Sequence, residues 1–257
     1  MPTISPSAVA QLRARTGVSI LACKQALEEA NGDEEKAIEI LRKRGIAQAV
    51  KKAEREQSEG AIFIAKSGSK AAVLTLKCET DFVARSAAFV ALGDELAKHY
   101  LTAGSDALHK DLEQKLPDAI QKLGENISVG EMMTAEAPVL GTYVHSNRKI
   151  GVIIGLEKGQ EEMARDVAMH AAALNPLYVH PTDVPGDVLE KEREIWKEQL
   201  SKEKKPPEIL EKILLGKEKK FCEENALIKQ SFVKDSTKSV EQYLNGARIT
   251  AYVRVSI

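Results

Sequence analysis

Cys78, Glu79 and Asp81 stand within four residues of one another, a thiol beside two carboxylates. A nucleophilic cysteine needs a base to take its proton and a third group to orient that base. The stretch Cys78-Glu79-Thr80-Asp81-Phe82-Val83-Ala84-Arg85-Ser86 places no histidine to serve, and no nucleophile elbow is visible elsewhere. The GxxxxGK[ST] and GxGxxG phosphate loops and the HExxH zinc helix are missing too. A thiol enzyme built on Cys78 would require that thiol to be exposed and reactive. Cys23, Cys78 and Cys222 are odd in number, far apart and in no CxxC pair, so they read as reduced thiols and not as a disulfide frame or a zinc site. No cofactor and no metal centre is expected.

What the stretch offers instead is shape. It follows a strand, Ala71 to Lys77, with apolar Val73, Leu74 and Leu76, and precedes a helical pattern carrying Phe89, Val90, Leu92 and Leu96. A bland polar turn would suffice between them. An aromatic there is either buried under the domain, the ordinary fate of phenylalanine, or offered to something else. Asp81 has the ordinary reading of a helix N-cap, but Ser86 stands closer to the helical pattern and can cap it, leaving Asp81 free.

An internal repeat supplies a control. Gly60 opens a unit with strands 61–65 and 71–77 about the turn 66–70, then a helix containing His99. Gly141 opens another, with strands 141–145 and 149–156 about Ser146-Asn147-Arg148, then a helix with Met163, Val167 and His170. Third strands are expected at 127–135 and 249–256. The second unit passes from strand to helix through Glu157-Lys158-Gly159-Gln160, an ordinary polar turn. The fold therefore does not require an aromatic at that corner, and contact with a partner is the natural reason for Phe82.

Thr80-Asp81-Phe82-Val83-Ala84-Arg85 resembles the TDFVA[KR] signature of the elongation factor Ts family, the nucleotide exchange factors of elongation factor Tu. Leu12-Arg13-Ala14-Arg15-Thr16-Gly17, Cys23-Lys24-Gln25-Ala26-Leu27 and Ala30-Asn31-Gly32-Asp33 are also family-like, in the expected order, and the similarity runs over nearly the whole chain. The resemblance implies binding to elongation factor Tu in its GDP-bound and nucleotide-free states, with no bond made or broken. It implies that Phe82 acts as a wedge and that Asp81 faces the partner's magnesium region, with Thr80 and Val83 fixing the turn and adding contact. It further implies docking through Leu12, Arg13, Thr16 and Gly17, with His145 a lesser contact. For Leu12 to Gly17 the residues alone also fit a helix end packed in its own core. Some family members continue into a further C-terminal helix that touches the partner, a contact put in doubt where the sequence stops at Ile257.

The elements that must position these residues make an α+β chain of 257 residues. Residues 1–54 read as three helices capped by Ser7, Ser19 and Asp33, the third closed by Gly45; the resemblance implies a ubiquitin-associated-like module. Its limited core suits a docking role. A charged, apolar-poor linker covers 46–59. Core subdomains follow at 55–140 and at 141–180 with 229–257, and residues 181–228 form an inserted antiparallel helical hairpin, with Pro207 opening its second helix. The hairpin is too thin to bury its own apolar stripe and must pack on a neighbour, which leaves homodimerisation open. The 37 basic and 38 acidic groups nearly cancel, which argues against a general nucleic-acid binder. No apolar run is long enough to span a bilayer and the first 17 residues lack a leader pattern, so a cytoplasmic protein is expected. An interaction scaffold that captures peptides through its N-terminal bundle is the alternative from another class.

Overall fold

The structure is a computed structural model that describes residues 4–201 and 206–257. Helices α1 (Pro6–Thr16), α2 (Ile20–Glu29) and α3 (Glu34–Lys52) pack around Leu12, Cys23, Leu27, Ala37 and Leu41. Ser19 and Asp33 cap α2 and α3 as expected, accepting hydrogen bonds from Ala22 N–H and Lys36 N–H. The cap of α1 is Ser5, not Ser7: Pro6 fits the first helical turn, where a missing N–H costs nothing, so the cap falls one residue before it. Nor does Gly45 close α3. The helix runs on to Lys52, and Gly45 is where another helix crosses, since a Cβ there would stand 3.3 Å from the Pro117 carbonyl oxygen and 3.0 Å from Gln121 Oε1. The expected linker over 46–59 therefore shrinks to residues 53–58.

Strands β1 (Glu59–Ser67) and β2 (Lys70–Cys78) form a hairpin. A one-turn helix, α4 (Asp81–Ala84), leads into α5 (Ala87–Leu123), and β3 (Ser128–Glu136) pairs antiparallel with β2. Residues 101–126 have no element assigned from sequence; most of them, 105–123, are the returning half of α5. Gly104, at φ 81°, turns the helix back on itself, and Asp111 then pairs with His99 at 3.0 Å. Strands β4 (Val139–Val144), β5 (Ile150–Leu156) and β8 (Ile249–Ser256) make a second three-stranded antiparallel sheet, in the order β4-β5-β8. Helix α6 (Glu161–Leu174) lies on it.

The two sheets face each other, and the alternation along each strand explains why so many strand residues are buried. On β1 and β2, Phe63, Leu74 and Leu76 point to α5, while Ile62, Ala71 and Val73 point to the other sheet. On β5, Val152 and Ile154 meet α6, and Ile153 meets Ile62 and Val73 in the inter-sheet cluster. The result is four layers, helix–sheet–sheet–helix, with strands apolar on both faces. Gly151 permits the close approach, because a Cβ there would lie 2.5 Å from Ile62 Cγ2.

Helices α7 (Gly186–Leu200) and α8 (Pro207–Asn225) pack through Trp196, Leu200 and Leu214, with the Trp196 and Phe221 rings 5.8 Å apart. Part of the connection between them lies outside the described residues. Residues expected only to lead back to the last strand form a small hairpin, β6 (Ser231–Phe232) and β7 (Asp235–Ser239), and a short helix, α9 (Val240–Leu244).

Candidate functional site

Two caps six residues apart build the corner after β2. Thr80, in extended conformation, accepts a hydrogen bond from Val83 N–H and starts α4; Ser86 accepts one from Phe89 N–H and starts α5. Only a single helical turn fits between them. Ala84 is buried and Val83 half-buried against the core beneath α5. A residue two positions from Ala84 in a helical turn points about 200° away from it. Phe82 accordingly projects outward and is 83% exposed, while Phe63, Phe89 and Phe232 are sealed inside.

Asp81 is not the cap. Thr80 holds that position, and Asp81 pairs with Arg85 at 3.1 Å on the surface. Such a pair is weak and readily exchanged. Cys78 ends β2 fully buried, its thiol donating to the Thr80 carbonyl at 3.3 Å, and burial pushes its pKa up to about 11. At neutral pH that leaves essentially no thiolate, and a thiol enzyme on Cys78 has neither access nor nucleophile.

The neighbouring unit contributes the far wall. A cleft of about 590 Å³ is lined by Glu59, Asp81 and Arg85 on one side and by Asn147, Arg148 and Lys149 on the other. Arg148 has left-handed backbone geometry, at φ 55°. Its carbonyl accepts Ile62 N–H at 2.8 Å, its guanidinium sits 5.0 Å from the Phe63 ring centre, and Asp94 lies 3.5 Å away. Lys149 pairs with Glu59, whose carboxyl it holds below the usual range. These contacts fix the second unit's turn against the first unit's strand, so both walls belong to one packed body. His145 falls one residue past β4, not on it. Its ring meets Asn147 Oδ1 at 3.0 Å at the base of this turn, beside the cleft and outside its lining.

The N-terminal candidates divide. Leu12 is 0% exposed, at the centre of the bundle, and its side chain has no surface to give a partner. Thr16 Oγ1 donates to the Leu12 carbonyl at 2.8 Å, and Gly17, at φ 67°, closes α1 through its N–H to Arg13 O. Arg13 alone of the four lines a groove of about 640 Å³, with Ile4, Pro6, Val9, Ile20 and Lys24. Ile20 and the adjacent Leu21 are exposed; helical spacing groups Leu21 with Ala22, Ala26 and Leu27 on one apolar face, but it lies outside the core, and Ile20 was passed over. Arg148 and Glu125, which holds the corner from below, were also missed. Among the described residues, no group of three or more His, Cys, Asp or Glu is placed to hold a metal ion, and no helix is long and apolar enough to cross a membrane.

A family model described as elongation factor TS matches residues 79–257, beginning at the corner itself. Similar curated proteins include the elongation factor Ts of Marinobacter nauticus, 41% identical over 265 residues that span 100% of this chain and 92% of the relative. That of a Hydrogenobaculum species is 41% identical over 261 residues, covering 96% and 95%. That of Aeromonas hydrophila is 43% identical over 269 residues, covering 100% and 92%.

Proposed function

From the premise that this chain belongs to the elongation factor Ts family, we propose that it is a guanine nucleotide exchange factor for elongation factor Tu, supporting translation elongation in the cytoplasm. It binds the GDP-bound partner, prefers the nucleotide-free state and leaves when GTP returns. It makes and breaks no covalent bond, and it contacts neither nucleic acid nor membrane. The mechanism is linkage: whatever factor favours the empty partner over the loaded one weakens nucleotide binding by the same factor.

The observation that carries this reading is Phe82, a large apolar side chain held out on a short, doubly capped turn. Inserted between the partner's helices, the ring shifts the elements that hold magnesium and phosphate. Asp81, released from its surface pair with Arg85, brings a negative charge toward the ion's ordered waters. Magnesium ties phosphate to protein, so loosening it loosens the nucleotide. Thr80 and Val83 hold the turn and add contact area, and His145 lies at the flank of the same cleft.

Residues 1–54 serve in this reading as a ubiquitin-associated-like docking module. Leu12, Thr16 and Gly17 shape it from within, and Arg13 with Ile20 presents its surface. The two sheet units are read as duplicated subdomains, with the first boundary moved to just before Val139, where β4 begins. The hairpin over 181–228 leaves Ile195, Ile209 and Leu215 exposed, a surface for the partner or for a second copy of this chain. Stopped-flow release of fluorescent GDP from elongation factor Tu, with and without this protein, tests the proposal. Acceleration is expected, and release at the unassisted rate would overturn it.

A further inference from the structure

The corner that presents Phe82 is gripped by a side chain with no part in the mechanism above. Glu125 lies just past Gly124, the left-handed cap of α5. Its Oε2 accepts the backbone N–H groups of Glu79 and Thr80, each at 3.0 Å, and its Oε1 accepts the Thr80 hydroxyl at 2.5 Å. The strand ladders explain why those donors need it. Pairing of β2 with β1 ends at Cys78, and pairing with β3 ends at Lys77, so the next two N–H groups have no strand partner. A second strut runs the other way: Glu79 Oε1 accepts Asn126 N–H at 2.7 Å, and the Asn126 amide donates to the Ala53 and Arg55 carbonyls at 3.3 and 3.1 Å. The hydroxyl that Glu125 holds is the one whose oxygen caps α4. Glu125 therefore orients the turn carrying Phe82 by way of Thr80.

We propose that Glu125 is a positioning residue for nucleotide exchange, fixing the direction in which Phe82 enters the partner without touching that partner itself. The inference rests on the wedge reading of Phe82 and is testable apart from it. The readout is the saturating rate of fluorescent GDP release from elongation factor Tu for the full-length wild type, Phe82→Ala, Glu125→Ala, Glu125→Gln and the Phe82→Ala, Glu125→Ala double variant, with thermal melts confirming the fold. Glu125→Ala is expected to lower the saturating rate about tenfold and to leave the half-saturating concentration within about twofold. In the Phe82→Ala background the same change should cost nothing further, a non-additivity that general loosening of the fold would not produce. The glutamine variant retains an acceptor for the backbone N–H groups and an amide to reach Thr80, so it should keep most of the rate. Phe82→Ala at the full rate would remove the wedge and the clamp together. A slow Phe82→Ala with Glu125→Ala at the full rate would overturn the clamp alone. So would an additive double variant, or a glutamine variant as slow as the alanine.

Discussion

Phe82→Ala separates the proposed exchange function from stability. The ring is 83% exposed in the free protein, so its removal takes almost nothing from the core, and unfolding free energy should move by no more than about 0.5 kcal/mol. Covering a phenylalanine side chain in a partner contributes about 2–3 kcal/mol beyond leaving it in water. If that burial is complete only when the nucleotide has loosened, the whole of it favours the empty complex. Where the transition state for release already buries the ring, losing it slows saturated GDP release roughly 30- to 160-fold. The assay is stopped-flow fluorescence with labelled GDP on elongation factor Tu, at increasing concentrations of wild type and variant, alongside thermal melts of each. A variant that melts like the wild type and releases GDP within about twofold of its rate would refute the reasoning, since so exposed a ring would then contribute nothing on binding.

Asp81→Asn removes a charge that pairs with Arg85 at 3.1 Å on the surface; it should leave stability unchanged and slow release by roughly threefold, and a loss greater than that of Phe82→Ala would reverse the ranking of the two residues. His170 is fully buried, donating from Nε2 to Gln230 Oε1 at 3.0 Å and accepting Val233 N–H at Nδ1 at 3.1 Å, so neither nitrogen has room for a second proton and burial holds its pKa below the ordinary 6.5. Stability from the neutral ring is complete above about pH 6.5 and falls by about 1.4 kcal/mol per pH unit as pH drops from there toward the depressed folded value. Urea midpoints between pH 7.5 and pH 5 should therefore decline less steeply in His170→Gln than in wild type, and equal slopes would exclude His170 as the source. Gly151→Val places a side chain where even Cβ would lie 2.5 Å from Ile62 Cγ2; it should cost about 1–3 kcal/mol in chemical denaturation, and an unchanged midpoint would mean the sheets do not meet at that point.

The sequence made legible what depends on short-range pattern. Strands β1, β2, β5 and β8 alternate or run apolar over seven to nine residues, and each was placed to within two residues of its bounds. Ser19, Asp33 and Ser86 were identified as caps because a cap bonds only two or three residues ahead. What failed depends on distant partners. Gly45 carries the sequence mark of a helix stop, yet it lies mid-helix because α5 needs room there. Gly104 looked no different in sequence, yet it reverses a helix, and the return half of α5 went unassigned. Leu12 fits a docking list equally well as a core residue, and only the packing of three helices puts it inside.

The corner itself divides the same way. That Phe82 faces outward could be argued from the chain alone, because the second unit makes the equivalent turn without an aromatic, and a residue the fold does not need is free for something else. Which side chain keeps it facing outward could not. Glu125 is 45 residues from Thr80 in sequence and follows a helix end with the unremarkable triplet Gly124-Glu125-Asn126. Its value comes from arriving where two strand ladders have stopped and two N–H groups stand without partners, a coincidence of β2, β3 and the returning half of α5. In the proposed wedge such an anchor matters, because a turn free to rock would dissipate the contact energy in its own motion. On that reading the exposed ring and the half-buried grip are two ends of one device, and only the outer end leaves a mark in local sequence.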